Sequence, residues 1–307
     1  MPQKRRPRRG SLQYWPRKRA KRIYPCVKWL KNEKLKPLGF AAYKAGMTSV
    51  QYIKDNKMVM KPATILDAPS LFVCGLRYYQ NTYDGLRVLG EIWTKIPKEL
   101  EKKLGKHEMK KNFENGGKVD LIRLIVCTQP TKSGMKKMKP ELFEIGLGGN
   151  IKEQTDYSKS LLDKEINISD VFRPGDYCDI TGITKGHGFT GVIKRFGVKL
   201  KGRKAEQKHR HTGSIGPTTP RHIMWQVPLP GQYGFFQRTE YNKRILMIDN
   251  KPEKINPKSG LAGYGIVPGS FILVEGSITG PRKRLIMLSH QRRKAKYSPV
   301  EIKYIKK

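Results

Sequence analysis

The stretch LGFAAYKAGMTSVQYI, residues 38–53, opens the part of the chain that decides the fold. It holds two short runs of β-favouring residues, 38–43 and 49–53, which are separated by Gly46. Further runs of this kind lie at 63–66, 71–79, 177–184, 188–196, 244–248, 271–275 and 284–288. Short strands at this spacing favour a closed antiparallel barrel over a parallel sheet. We therefore predict a mainly β body built from both ends of the chain.

The segment between the two groups of runs, residues 70–165, has a different character. It contains charged helical candidates at 97–106 and 151–164 and one strongly hydrophobic strand candidate, VDLIRLIVC, at 119–127. This mixture predicts an α/β subdomain inserted into the β body.

Charge is concentrated in three segments of the 307-residue chain, whose net charge is +38. Residues 1–22 hold 10 Lys and Arg and no acid, residues 185–222 hold 10 with Glu206, and residues 282–307 hold 10 with Glu301. The remainder has a nearly ordinary balance of charges. Runs of one sign bury little apolar area and do not fold alone, but phosphates can order them by releasing condensed counterions. The distribution indicates a globular body whose basic appendages bind nucleic acid.

Two segments look like the appendages themselves. Residues 1–36 show no period of 2 or 3.6 and contain four prolines, which predicts an extended arm. Residues 199–234 are rich in Gly and Pro among basic residues, and a loop this long inside a compact domain is usually functional. The predicted organisation is an N-terminal extension (1–36), a barrel body (37–69, 166–198 and 235–307), the inserted subdomain (70–165) and a finger loop (199–234).

Aromatic rings are interleaved with the basic residues. Trp15 precedes Arg17, Lys18 and Arg19, and Trp225 follows the central basic run. Such rings either pack in the protein or stack on unpaired bases of single-stranded or irregular RNA.

Cysteine usage and hydropathy bear on the compartment. The four cysteines form no Cys-x-x-Cys pair and are interpreted as buried thiols in a reducing compartment. No apolar stretch follows the basic N-terminus and no apolar run approaches membrane-spanning length. We expect a cytoplasmic protein with no membrane partner.

Two patterns suggest enzymes or metal sites and are rejected. Residues 186–191, GHGFTG, match the dinucleotide turn, but the β-branched and glycine-interrupted residues after them do not favour the helix that it requires. His209, His211 and His222 lack zinc-site spacing and have only Glu206 nearby as a further ligand. We expect no enzyme activity, no cofactor and no metal.

Several separated motifs stand out along the chain. They are PRRGSL (7–12), PRKRA (16–20), LGFAAYKAGMT (38–48), FRPGD (172–176), TKGHGF (184–189), GVIKRFG (191–197), GSIG (213–216) and QRTEYN (237–242). Together they resemble the universal large-subunit ribosomal protein L-three family in its archaeal form. The resemblance covers essentially the whole chain.

The resemblance implies a six-stranded barrel of the translation-protein type and two extensions that enter RNA. It also implies binding to the 3′-terminal region of large-subunit ribosomal RNA, a role early in subunit assembly and support of the peptidyl transferase centre. Neighbouring large-subunit proteins are expected partners, and no homo-oligomer is expected. The family's basic patch falls on Arg210 and its fingertip on residues 215–222, where Thr218 stands in place of a common Trp.

Charge, aromatic spacing and the resemblance together give a set of expected RNA-binding residues. They are Arg5, Arg6, Arg8, Arg9, Trp15, Arg17, Lys18, Arg19, Lys44, Lys185, His187, Lys194, Arg195, Lys199, Arg203, Lys204, Arg210, Thr218, Arg221, His222 and Arg238. The charge alone would also permit a DNA-architectural or generic polyanion-binding protein, and an RNA-modifying enzyme is the other alternative.

Overall fold

The computed structural model describes residues 8–30, 32–54, 57–94, 101, 119–205, 207–219, 221–293, 295, 297 and 299–306. The chain divides into two compact units. We call Met1–Arg22 with Ile183–Gln237 the arm–finger unit, and Ile23–Gly182 with Arg238–Lys307 the body unit.

The described residues form fourteen strands, numbered in chain order. They are β1 (Gly39–Lys54), β2 (Lys57–Asp67), β3 (Leu71–Thr82), β4 (Gly85–Trp93), β5 (Leu121–Thr128), β6 (Leu142–Gly146), β7 (Glu165–Ile166), β8 (Tyr177–Ile183), β9 (Gly186–Thr190), β10 (Gly231–Gly234), β11 (Gln237–Asp249), β12 (Phe271–Glu275), β13 (Leu285–His290) and β14 (Glu301–Ile305). The same residues form three α-helices, α1 (Ile151–Ser160), α2 (Ile168–Val171) and α3 (Val192–Phe196), and short 3₁₀ turns at Leu12–Tyr14, Pro130–Lys132 and Pro252–Lys254.

Six strands of the body unit are linked in a ring of pairings. Around the ring, β1 pairs with β2, β2 with β12, β12 with β11, β11 with β8, β8 with β13, and β13 with β1 again. The long strand β1 makes this possible, because its first half pairs with β13 and its second half with β14 while β2 follows its other edge. The predicted mainly β class is confirmed.

A second sheet of the body unit has the strand order β4-β3-β5-β6, and β7 pairs with β3. It lies within the segment predicted as an α/β insertion, and helix α1 contacts β5 there. Residues of this sheet, including Leu76 and Leu124, belong to the same buried apolar cluster as Phe40 and Phe271 of the ring. The candidate helix at 97–106 lies outside the described residues apart from Glu101, which is helical.

Three sequence predictions are wrong. Gly46 does not end a strand, because β1 runs through it with a shift in register between Lys44 and Gly46. The expected strand at 188–196 is a strand only to Thr190, and Val192–Phe196 is helical, although that segment was not expected to form a helix. Cys26 is exposed, whereas the other three thiols are buried as expected.

Candidate nucleic-acid interface

A two-stranded ribbon pairs a strand that precedes the finger with the strand that ends it. Strands β9 and β10 pair antiparallel, with Phe189 opposite Gln232 and Gly186 opposite Gly234. Gly234 has a φ of +72°, and a Cβ added there would lie 2.0 Å from the carbonyl oxygen of Lys185. The tight crossing therefore requires glycine at this position.

Helix α3 follows the ribbon and is fixed to the returning chain by Arg195. The Arg195 side chain donates from Nη1 to the carbonyl oxygen of Leu229 at 2.7 Å and from Nε to that of Gln232 at 3.0 Å. The helix ends at Gly197, which adopts the left-handed conformation common at helix C-termini.

The N-terminal arm packs along the finger through hydrogen bonds to backbone oxygens. Nη1 of Arg8 donates to Gln226 at 2.8 Å, and Nη1 of Arg9 donates to Gly197 at 2.9 Å. Further along the arm, the backbone N–H of Ala20 donates to the carbonyl oxygen of Phe235, directly after the finger, at 2.8 Å. Residues 8–22 of the arm contain one 3₁₀ turn and no other helix or strand, and they lie against protein.

Aromatic rings and guanidinium groups form the centre of this contact. Trp15 stacks on Phe196 with ring centroids 6.1 Å apart and meets Trp225 edge-on at 5.2 Å. The Arg17 guanidinium lies 4.1 Å from the centroid of Phe196, and that of Arg195 lies 5.1 Å from it. The sequence left open whether such rings pack in the protein or stack on unpaired bases. Trp15 packs within the protein.

A second set of rings lies beside the ribbon. His187 stacks on Tyr233 with centroids 5.3 Å apart, and its Nδ1 lies 3.4 Å from Nζ of Lys194. Phe189 is 80% exposed. A phenyl ring this exposed, between lysines, is suited to stacking on an unpaired base.

The outer part of the finger is open and basic. Between α3 and β10 its described residues form no α-helix or strand. A hydrogen bond from Thr212 Oγ1 to the carbonyl oxygen of Pro228, at 2.8 Å, links the two sides of the loop. The basic side chains there are exposed, namely Lys199, Lys201, Arg203, Lys204, Lys208, Arg210 and Arg221. The whole arm–finger unit has 20 Lys and Arg residues against one acid, Glu206.

Comparison with known proteins identifies the family. A family model described as ribosomal protein L3 matches residues 1–120 and 94–307, which together span the chain. The chain belongs to the ribosomal protein L3 family. The large ribosomal subunit protein uL3 of Methanopyrus kandleri is 43% identical to it over 324 residues, covering 98% of this chain and 90% of the relative. The proteins of the same name from Methanocaldococcus jannaschii and Methanococcus maripaludis are 44% and 43% identical, covering 92% and 98% of this chain and 90% and 96% of the relatives.

Most of the expected RNA-binding residues of this L3-family chain lie on the arm–finger unit. The exposed members are Arg8, Lys18, Arg19, Lys185, His187, Lys194, Lys199, Arg203, Lys204, Arg210, Thr218, Arg221 and His222, and the half-buried members are Arg9, Trp15, Arg17 and Arg195. Arg5 and Arg6 lie outside the described residues.

Two expected residues, Lys44 and Arg238, belong to the body unit. Lys44 is 9% exposed, and its ammonium group donates to the carbonyl oxygens of Ile278 at 2.5 Å and Gly280 at 2.9 Å. These bonds use the charge inside the protein, so the geometry does not favour Lys44 as an RNA contact. Arg238 is half-buried in β11.

Phe189, whose ring is exposed, was not among the RNA-binding residues expected from the sequence. The signal was present, because an aromatic residue inside a glycine-rich, lysine-flanked strand has few apolar neighbours to pack on.

Strand pairing bears on the dinucleotide pattern that the sequence analysis set aside. Strands β9 and β10 pair antiparallel, whereas a dinucleotide turn belongs to a parallel βαβ unit. Helix α3 does follow the glycines, but it has only five residues. Within the described ranges, no group of three or more His, Cys, Asp or Glu side chains could hold a metal ion. The helices formed by those residues include none with the length and hydropathy of a membrane span.

Proposed function

We propose that this chain is a structural component of the large ribosomal subunit and binds large-subunit ribosomal RNA through its arm–finger unit. The observation that carries the proposal is the charge of that unit, which holds half of the net positive charge of the chain with a single acid. Membership of the ribosomal protein L3 family and the similarity to archaeal uL3 proteins support the same proposal.

The mechanism is neutralisation of phosphates by an ordered surface. Exposed lysines and arginines of the finger are held on a loop whose ends are fixed by β9, β10 and α3. Cations placed between RNA strands reduce the repulsion of packed phosphates and release counterions, so a compact RNA fold is stabilised. Phe189 adds a stacking surface that is indifferent to salt.

The resemblance to the family supports a more specific proposal for the RNA region that is bound and for the role of the chain in the subunit. The chain binds the 3′-terminal region of the RNA, acts early in assembly and supports the peptidyl transferase centre through its arm and finger. In this proposal the ring of six strands is the barrel of the translation-protein type. The other partners of the chain are neighbouring large-subunit proteins. The chain acts as a monomer in the cytoplasm. The chemistry of peptide transfer belongs to RNA, and the chain contributes no enzyme activity, cofactor or metal.

A competition experiment tests RNA binding. The full chain is titrated with a transcript of the 3′-terminal domain of large-subunit ribosomal RNA in the presence of excess duplex DNA. We expect the transcript to bind in preference to the duplex, because an irregular finger with exposed rings has little use on a uniform helix. Equal binding to both would indicate a DNA-architectural or generic polyanion-binding protein instead.

A further inference from the structure

We propose that Arg17 and Arg195 are positioning residues that fasten the arm to the finger, and that neither makes an RNA phosphate contact. The two segments then meet RNA as one preformed surface. This inference rests on the proposed RNA-binding function and changes the role expected for both arginines.

Arg17 contacts both the arm and helix α3 within the arm–finger unit. Its Nη1 donates to the carbonyl oxygen of Arg195 at 2.8 Å, and the guanidinium lies 4.1 Å from the centroid of Phe196 and 5.6 Å from that of Trp15. Its Nε is buried without a hydrogen-bond partner in the described ranges. Partial burial lowers the pKa of Arg17. The ring contacts are cation–π interactions, which a planar guanidinium makes better than an ammonium group.

The arm folds around this guanidinium. Gly10 has a φ of +73°, and a Cβ added there would lie 2.4 Å from Nη2 of Arg17 and 3.1 Å from Cδ1 of Phe196. The backbone before Arg17 therefore covers the same ring and the same cation. The Arg17 guanidinium is thus held between the backbone at Gly10 and the ring of Phe196.

Arg195 completes the fastening from the finger side. It donates to two carbonyl oxygens of the returning chain, at Leu229 and Gln232, and its own carbonyl oxygen accepts from Arg17. Burial, and then the charge of Arg17, lower the pKa of Arg195. In the described part of the chain neither cation forms an ion pair with a carboxylate. The contact therefore depends on carbonyl oxygens and rings.

Lys18 and Arg19 provide a matched contrast. Both follow Arg17 directly and both are exposed. A residue that contacts phosphate needs its charge, so Lys18→Arg should bind like the parent. A residue that fastens through a planar group needs its shape, so Arg17→Lys should fail even though the charge remains.

The test measures the affinity of full-length variants for the 3′-terminal-domain transcript over a range of salt concentrations. We expect Arg17→Lys and Arg17→Ala to bind about 3- to 30-fold more weakly than the parent, which is the range of a partly buried cation–π contact. Phe196→Leu should weaken binding similarly and add little to Arg17→Lys. Lys18→Ala should lower the slope of log K against log salt by about 0.7 to 0.9, and Lys18→Arg should restore it.

Amide exchange of arm residues 8–22 in the RNA-free chain gives a second readout. Arg17→Lys and Phe196→Leu should raise exchange in the arm and leave the body strands unchanged. The proposal is overturned if Arg17→Lys binds like the parent while Arg17→Ala loses one unit of salt slope, or if arm exchange does not respond. If the parent chain shows no preference for the transcript, the proposed function fails, and the exchange data still decide whether the arginines fasten the arm.

Discussion

The hydroxyl of Tyr264 donates a 2.6 Å hydrogen bond to Oδ2 of Asp67, a carboxylate that is 1% exposed. The backbone N–H of Gly134 donates to the same oxygen at 3.1 Å, and Oδ1 is buried without a partner in the described ranges. Burial raises the pKa of Asp67 despite both donors. This carboxylate ties β2 to two loops of the body unit at some cost in desolvation.

The raised pKa of Asp67 predicts a pH dependence. Folding favours the protonated carboxyl, so its contribution to stability is complete below the ordinary pKa of Asp and is lost as the pH rises through the higher folded-state value. Asp67→Asn keeps an acceptor for Tyr264 and Gly134 and should remove this dependence. Denaturant unfolding of the parent and the variant, from acidic to neutral pH, gives the free energy of unfolding of each as a function of pH. If the two free energies changed with pH in parallel, the prediction would be contradicted.

His290 predicts a loss of stability in acid. Its ring lies 4.7 Å from that of Phe172, and burial, followed by the charge of Lys36, lowers the pKa of His290 to about 4. The neutral ring therefore stabilises the fold fully above pH 6.5, and this stability is lost as the pH falls towards 4, by about 3 kcal/mol at most. His290→Gln should unfold with a smaller pH dependence in this window. The prediction is wrong if the variant follows the parent there.

Glu144 joins three strands of the second sheet. Its Oε2 accepts from Arg123 Nη1 at 2.9 Å and from the Tyr79 hydroxyl at 2.8 Å, and its Oε1 pairs with Arg77. Glu144→Gln removes the charge that these half-buried cations share and should lower the free energy of unfolding by about 1–3 kcal/mol.

An exposed ion pair is the control for Glu144. Glu301 pairs with Lys303, and their side chains are 66% and 46% exposed. Glu301→Gln should change stability by less than about 0.5 kcal/mol in the same denaturant titration. Equal losses in the two variants would mean that the Glu144 network contributes no more than a surface pair.

Phe189 predicts a salt-independent share of RNA affinity. Phe189→Leu keeps an apolar side chain but removes the ring, so binding to the 3′-terminal-domain transcript should weaken by about 1–3 kcal/mol with an unchanged salt slope. Phe189→Trp should retain the affinity. Full affinity in the leucine variant would exclude stacking at this position.

In the body unit, the strands that could be predicted are apolar runs with clear ends in the sequence. The run at 271–275 coincides with β12, and the hydrophobic candidate at 119–127 is found as β5, Leu121–Thr128. Gly46 was misleading because a glycine inside a long strand marks a bulge as readily as an end. The strand β4 was missed because its first residues are exposed and it is held at the sheet edge by its pairing with β3.

The arm–finger unit was predictable in charge but not in contacts. The basic runs at 1–22 and 185–222 indicated nucleic acid, yet each was expected to stay unfolded without it. Arg17 and Arg195 are 178 residues apart in the chain, and nothing local to either predicts their hydrogen bond. Helix α3 was missed because the β-branched residues Val192 and Ile193 disfavour a helix that packing in this unit nevertheless stabilises.

The most direct test of the central claim is sucrose-gradient fractionation of native lysate at low and at raised salt, with the chain followed by mass spectrometry. A structural component of the large subunit should co-migrate with that subunit in stoichiometric amount after the salt wash. Release from ribosomes at modest salt, or migration with DNA, would contradict the account and leave the positive charge as a generic polyanion-binding surface.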